Sequence, residues 1–403
     1  MQVKQPQCRS LSTDSDTSDI SSDAAAAAAA GEEMKDEYGI MDDSGHTYSY
    51  SGDFVLESGT ALTNPVLRYQ TYGQLNKDRD NVLVVCHALT GNASLHSWWG
   101  DLLGPGAVFD TDKYFVVCCN ILGSCYGSTS PVSINPATKE PYGVDFPDVS
   151  VKDTVRLQLL LLRDELKVNS IKAVIGGSFG GMQAVEFAVQ AGGVGADFCD
   201  ASGDPYCRNV IPIACGAQHT AWQIAISEVQ RQAIYMDPEW ASGNPFQATA
   251  GLEVARQIGM ISYRTPVGYS EKFGRKLQNP ESPLYGSNAK FAVRSYLEYQ
   301  GTKFLSRFDP VTYVKMTEQM DSHNVARGRG ATIQEVLAKV QIPALVLGID
   351  SDVLYPLSEQ VELAELLPAG QLKIIKSDDG HDGFLLEQDQ VAEHILDFLD
   401  QSR

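Results

Sequence analysis

The sequence has no apolar run approaching the roughly 18 to 20 residues that cross a bilayer. Its greasiest piece, Leu157 to Leu162, is short and flanked by charges, so membrane insertion is not expected. Positive charge is scarce as well. Lys and Arg number 31 against 51 Asp and Glu, a formal net charge of −20, and no basic stripe offsets it. Such a chain repels polyanions, which excludes nucleic acid as a partner. The 8 cysteines show no spacing typical of secreted frameworks, and Cys86, Cys118 and Cys119 lie inside apolar runs. Reduced thiols and a cytoplasmic setting are therefore expected, not a disulfide scaffold. With 35 Gly and 18 Pro, close to background usage, neither a collagen-like repeat nor wholesale disorder is in play.

What remains is a globular chain of 403 residues, 43% hydrophobic, long enough for one large domain carrying an insertion. Charge is unevenly placed. Residues 1–45 hold ten acids and three bases, −7 of the total, together with a Ser/Asp run and the alanine run Ala24 to Ala30. Without an amphipathic period this segment cannot bury enough apolar surface to offset ordering, so it reads as a disordered tail.

From Tyr48 onward the pattern is α/β. Phe54 to Glu57 and Val66 to Tyr72 alternate like antiparallel edge strands. Val82 to Cys86, Tyr114 to Ile121, Ala173 to Ile175, Ala344 to Leu347 and Leu372 to Ile375 are short continuous apolar runs, as in strands buried on both faces of a parallel sheet. Helical periods over Val151 to Leu166 and from Met182 to Gln190 stand between them, which implies βαβ units and a doubly wound, mostly parallel sheet. Between about 217 and 335 the rhythm changes to helical stretches, among them Ala221 to Tyr235 and Val311 to Asp321. The expected organisation is a tail (1–45), a core in two parts (46–216 and 336–403) and an inserted helical lid (217–335).

The chemistry begins at Gly176-Gly177-Ser178-Phe179-Gly180-Gly181. A G-x-S-x-G directly after a buried strand and before a helix is the context of a nucleophile elbow. Small neighbours permit the sharp turn, and the helix N-terminus favours developing negative charge beside Ser178. The spacing is not that of a dinucleotide or phosphate loop. A serine hydroxyl needs a base, and the base needs a carboxylate to fix its tautomer. Asp350-Ser351-Asp352 and Gly380-His381-Asp382-Gly383 each follow a strand run, in the order Ser, Asp, His. His381 is the candidate base; by reach, either Asp350 or Asp352 could be the acid. An oxyanion hole would use the N–H of Phe179 and one from the loop His87-Ala88-Leu89-Thr90-Gly91, at Leu89 or Thr90, with His87 a buried structural residue.

With these residues in place, the chain resembles the homoserine O-acetyltransferases, α/β-hydrolase-fold enzymes of methionine biosynthesis. The likeness runs from about Phe54 to the C-terminus. It rests on the block from His87, Asn120-Ile121-Leu122-Gly123 leading to Gly127-Ser128-Thr129, Gly176 to Gln183, Glu228 to Ile234, Tyr299-Gln300-Gly301, Arg307-Phe308-Asp309, Asp350 to Asp352 and Gly380 to Phe384. The resemblance implies the α/β-hydrolase fold with a Ser178, Asp352, His381 triad. It also implies Arg231 on the acceptor's carboxylate and Asp382 on its ammonium, with L-homoserine and acetyl-CoA as substrates. No bound cofactor or metal is expected, the mechanism is ping-pong, and a homodimer would form through the lid helices. Phe179 and Trp222 are expected to help keep the site dry. Relatives with the same triad use succinyl-CoA or act on serine, and an esterase would use water. Pro310-Val311-Thr312 after Asp309 departs from the Ala-Asn-Ser/Thr expected there.

Overall fold

The computed structural model describes residues 45–401 except 282, 284, 287 and 288. The acidic tail expected over 1–45 lies outside the described residues apart from Gly45. Ten strands form: β1 (His46–Ser49), β2 (Asp53–Val55), β3 (Ala61–Thr63), β4 (Val66–Tyr72), β5 (Val82–Cys86), β6 (Phe115–Cys119), β7 (Ile171–Gly177), β8 (Val210–Ile213), β9 (Ala344–Ile349) and β10 (Gly370–Ile375). Eight of them make one sheet in the order β1-β4-β6-β5-β7-β8-β9-β10. The pairs β1/β4 and β4/β6 are antiparallel, and every other neighbouring pair is parallel.

Period two explains why the central strands are apolar throughout. In β5, Val82, Val84 and Cys86 pack into the core on one face of the sheet, while Leu83 and Val85 pack into the core on the other. β9 divides likewise, with Ala344 and Val346 on the first side and Leu345, Leu347 and Ile349 on the second. Helices cover both faces. The helix Val151–Leu160 starts at a Ser150/Asp153 capping box, which satisfies backbone N–H groups at its first turn. The helix Phe179–Ala191 is buried along almost its whole length.

Two strand expectations are corrected. Phe54 to Glu57 does not join the main sheet: β2 pairs only with β3 in a separate two-stranded ribbon, and the edge beside β4 is β1. β8 is not among the strand runs expected from the sequence, and Pro212 within Val210–Ile213 is unusual for a strand inside a sheet. The sheet tolerates it at a gap in the ladder, since β8 pairs with β9 only at Val210 and Ile213.

Between β8 and β9 every described element is a helix, the longest being Ala221–Tyr235, Thr249–Ser262, Ala292–Phe304 and Pro310–Asp321. They share a third apolar cluster in which Phe304 stacks on Phe308 at 5.1 Å and Tyr313 meets both edge-on. Leu89, Phe179, Leu354 and Tyr355 belong to the same cluster, so the helices pack onto the carboxyl edge of the sheet. The departure at Pro310 is a helix start: Asp309 caps it by accepting the Thr312 N–H at 2.8 Å, and Pro310 occupies the first turn, where its missing N–H costs nothing. No helix among the described residues is long and apolar enough to cross a membrane.

The tightest backbone approach is at the start of the Phe179–Ala191 helix, where a Cβ at Gly180 would overlap the Cys86 carbonyl oxygen at the end of β5. Backbone cannot swing aside as a side chain can. Gly180→Ala is expected to cost about 3 kcal/mol or more, at the upper end of overpacking penalties, and urea unfolding of parent and variant measures it.

Candidate active site

β7 runs straight into Ser178, which sits at φ 57°, ψ −122°, a conformation that L side chains rarely adopt. Such a residue costs on the order of 1–3 kcal/mol and is held by its surroundings. Here the Ser178 N–H donates to the Ile213 carbonyl of β8 at 2.9 Å, and its own carbonyl accepts the Met182 N–H at 3.1 Å. Both ends of the turn are therefore tied, and the side chain is left at the carboxyl edge of the sheet with the residue 7% exposed.

The turns after β9 and β10 supply the other two groups. Asp352 follows β9, and its Oδ1 accepts the backbone N–H groups of Leu354 at 2.9 Å and Tyr355 at 2.8 Å. That leaves Oδ2 for His381, whose Nδ1–H donates to it at 2.7 Å. Asp350, equally placed in sequence, points elsewhere: it pairs with Lys376 at 3.0 Å and accepts the Ser377 N–H at 3.2 Å. Burial opposes its ionisation, but the Lys376 ammonium and the Ser377 N–H outweigh burial and hold it below the usual carboxylate range.

His381 is buried, its ring stacked on Tyr355 at 5.1 Å and meeting Phe384 edge-on at 5.7 Å. Burial disfavours the imidazolium, yet the Asp352 carboxylate outweighs it and raises the imidazole above its ordinary value, with Asp382 adding to the effect. Its Nε2 is buried and has no partner among the described residues. Ser178 and His381 line one cleft with about 100 Å³ of free space.

Leu89 and Thr90, on the loop after β5, line the same cleft. Neither of their backbone N–H groups, nor that of Phe179, donates to an acceptor among the described residues. The loop is braced from outside, because Arg307 donates to the Thr90 carbonyl and to the Tyr126 hydroxyl, each at 2.8 Å. His87 is fully buried behind it, donating from Nδ1 to the Ala88 carbonyl at 2.8 Å. Burial pushes its imidazole down to about 4, which keeps it neutral.

Charged groups from the helical insertion complete the wall: Arg256, Arg264 and Lys303, with Asp382 from the turn after β10. Arg264 is already committed, to Asp379 at 2.5 Å and Asp382 at 2.9 Å. Burial raises the Asp382 carboxyl, against the pull of Arg264, His381 and Arg256. Arg256 has no ion pair with any described carboxylate, and its Nε is buried without a hydrogen-bond partner. The sequence reading missed Arg256 and Tyr263. Their signal was a helical face spaced by seven residues, which is indistinguishable from ordinary core and surface periodicity without knowing where the helix docks.

Two expected site residues do not meet the others. Arg231, placed by the resemblance on the acceptor's carboxylate, is not among the residues lining the cleft. Its guanidinium binds Asp321 at 2.7 Å and Glu228 at 3.0 Å, with Nη1 buried and unpartnered. Trp222, expected to keep the site dry, is 54% exposed and donates its indole N–H to the Val353 carbonyl at 2.8 Å, outside the cleft. Phe179 is fully buried in the cluster beneath the helices. Among the described residues no group of three His, Cys, Asp or Glu is placed to hold a metal ion.

A nucleophile elbow, an Asp-His pair at successive strand ends and a helical insertion over a mostly parallel sheet define an α/β-hydrolase-fold enzyme. Residues 81–388 match the model of the alpha/beta hydrolase fold family. The chain is 44% identical over 355 residues to the homoserine O-acetyltransferase of Nostoc punctiforme, covering 86% of this chain and 94% of the relative. It is 46% identical over 343 residues to that of Salinibacter ruber, covering 84% and 93%. The crystal structure of homoserine O-acetyltransferase from Staphylococcus aureus superposes with a TM-score of 0.69 at 28% identity, covering 88% of this chain and 95% of that one. The chain belongs to the homoserine O-acetyltransferase family, a family of acyltransferases.

The raised imidazole sets a pH dependence. A histidine acting as the base must be neutral, so if His381 has that role activity is expected to fall as pH drops through its value, which lies above the ordinary 6.5. In Asp352→Asn the main raising influence is gone and burial dominates. The acid limb of the rate should then move below that of the parent, with turnover lower by roughly 10⁴-fold as for amide analogues of triad acids. A pH–rate profile of both proteins checks this.

Proposed function

We propose that the protein transfers the acetyl group of acetyl-CoA to the hydroxyl of L-homoserine by a ping-pong reaction on a Ser178, His381, Asp352 triad. The observation that carries this is the Asp352 to His381 hydrogen bond, with the far imidazole nitrogen left unpartnered in the cleft that Ser178 lines. It occurs in a chain whose relatives bear that name.

In the first half-reaction Ser178 Oγ attacks the thioester carbonyl while His381 Nε2 takes its proton. The N–H groups of Phe179 and of Leu89 or Thr90 receive the oxyanion. As the tetrahedral adduct collapses, the C–S bond breaks and the imidazolium returns the proton to sulfur, releasing CoA. In the second half, His381 takes the proton of the homoserine hydroxyl, whose oxygen attacks the acyl-enzyme. Collapse expels Ser178 Oγ, which recovers the proton. Asp352 holds the imidazole with Nδ1–H inward throughout, so that Nε2 is the reacting nitrogen.

Homoserine brings one carboxylate and one ammonium into a site where an unpaired charge is costly. Arg256 suits the carboxylate better than Arg231, since it lines the cleft and forms no close ion pair with a described acid, although Asp382 lies within reach of its charge. A planar guanidinium also matches a carboxylate in shape. Asp382 suits the ammonium, shared with Arg264. The insertion over 217–335 acts as the lid: Arg256, Met260, Tyr263, Gln300 and Met320 roof the cleft and keep water from the acyl-enzyme.

Three measurements test the reading. Acetyl-CoA or succinyl-CoA is mixed with homoserine, serine or no acceptor, and CoA release is followed with ester product. Acetyl transfer to homoserine should dominate, and CoA release as fast without acceptor as with it would replace the transferase by a hydrolase. Ser178→Ala should lower turnover on the order of 10⁶-fold, as removal of a triad serine does. Arg256→Leu should raise the homoserine KM by about tenfold or more, the effect of one lost charge-assisted contact, while the burst of CoA release stays within about twofold of the parent. The same change at Arg231 should affect KM less; a larger effect there returns the carboxylate to Arg231.

A further inference from the structure

Behind the Asp352–His381 pair lies a second buried array that the reaction as described does not use. Tyr355 is fully buried and touches the pair twice: its backbone N–H donates to Asp352 Oδ1 at 2.8 Å, and its ring lies against the His381 imidazole at 5.1 Å with 28° between the planes. Its hydroxyl meets Nδ1 of His219 at 3.0 Å. His219 belongs to the approach to the helical insertion, just before the Ala221–Tyr235 helix, and its Nε2 faces Asp321 Oδ1 at 3.6 Å. Asp321 is held in turn by Arg231 at 2.7 Å.

The proton positions follow from these neighbours. Burial pushes the His219 imidazole down to about 3, so it is neutral and carries one proton. Nε2 and Asp321 Oδ1 make no hydrogen bond at 3.6 Å, but the nearby carboxylate favours the tautomer with its proton on Nε2, in which Nδ1 accepts the Tyr355 O–H. The Tyr355 hydroxyl is therefore a donor fixed in one direction, and burial keeps it protonated. A ring with a free hydroxyl could slide or tilt within its layer; one anchored at its far end cannot.

The geometry points to Tyr355 and His219 as positioning residues for the reaction: Tyr355 fixes the plane of the catalytic imidazole, and His219 ties that plane to the seating of the helical insertion on the sheet. The inference rests on the acyl-transfer reading above. It adds that docking of the insertion and alignment of the base are a single event, because one tyrosine takes part in both.

The test compares kcat, KM and thermal midpoint for Tyr355→Phe, His219→Leu and His219→Asn, with kcat normalised to the burst of CoA release. Tyr355→Phe keeps the stacked ring and loses only the anchor. It should lower kcat about tenfold, within the range that small misplacement of a reacting group produces, with KM for both substrates within about twofold of the parent. His219→Leu should do the same. His219→Asn places an amide oxygen near the former Nδ1, can again accept the tyrosine O–H, and should recover most of the lost kcat. A merely structural role would lower the thermal midpoint without that kcat pattern. Parent-like kcat in both Tyr355→Phe and His219→Leu overturns the inference, as does equal loss in His219→Asn and His219→Leu. Ser178→Ala separates the two levels: if it retains activity the acyl-enzyme reading itself fails, whereas if it is inactive and the array variants are parent-like, only the positioning role fails.

Discussion

The structure turns on a backbone conformation that a serine adopts only under constraint. Ser178 is held at φ 57° between β7 and the helix Phe179–Ala191, its N–H tied to β8 and its carbonyl to the first helical turn. Glycines on either side allow the turn because backbone occupies the space a Cβ would need: Gly176 lies against the Gly180 carbonyl, and Gly180 against the Cys86 carbonyl. The same closeness brings the ends of β5 and β8 up to the elbow. The loop after β5 thereby stands beside the serine, and Leu89 and Thr90 line the cleft with it.

Electrostatics around that turn are arranged in two layers. Nearest the serine, one carboxylate serves one imidazole: Asp352 is neutralised by two backbone N–H groups and His381, while Asp350 is drawn off to Lys376. Farther out, a chain with a net charge of −20 places Arg256, Arg264 and Lys303 along one cleft, with Arg264 paired to Asp379 and Asp382. Local cation enrichment in a low-dielectric recess attracts anionic groups whatever the overall charge. Acyl donors and amino-acid acceptors both carry such groups.

Much of this was legible from residue order. The elbow, its strand and its helix followed from six consecutive residues, and the segments that hold the paired Asp352 and His381 from two short stretches after apolar runs. The long helices of the insertion matched their apolar periods to within a few residues, since each buries one face. The misses have particular causes. β8 is four residues long and contains Pro212, and the gap in the β8/β9 ladder that accommodates the proline depends on the neighbouring strand. Phe54 lies in an antiparallel strand, but one that pairs with β3 apart from the main sheet, because alternation reports that one face is buried and not which strand lies alongside. Arg231 and Arg256 are both helix cations amid polar neighbours, and only the docking of their helices decides which faces the cleft.

By itself, then, the sequence determined the elements and their chemistry: runs buried on both faces, a turn only small residues can make, and a serine, an acid and a histidine in one order at strand ends. These are properties of contiguous residues, governed by period, sterics and side-chain chemistry. By reach alone Asp350 and Asp352 were not separated, and tertiary structure brings Asp352, the one the resemblance implied, to His381; it alone decided which arginine lines the cleft and which is spent on Asp321, and that Tyr355 lies between His381 and His219. Each of those is a contact between segments far apart in the chain. Its geometry is set by how helices and sheet pack, and no local pattern carries that information.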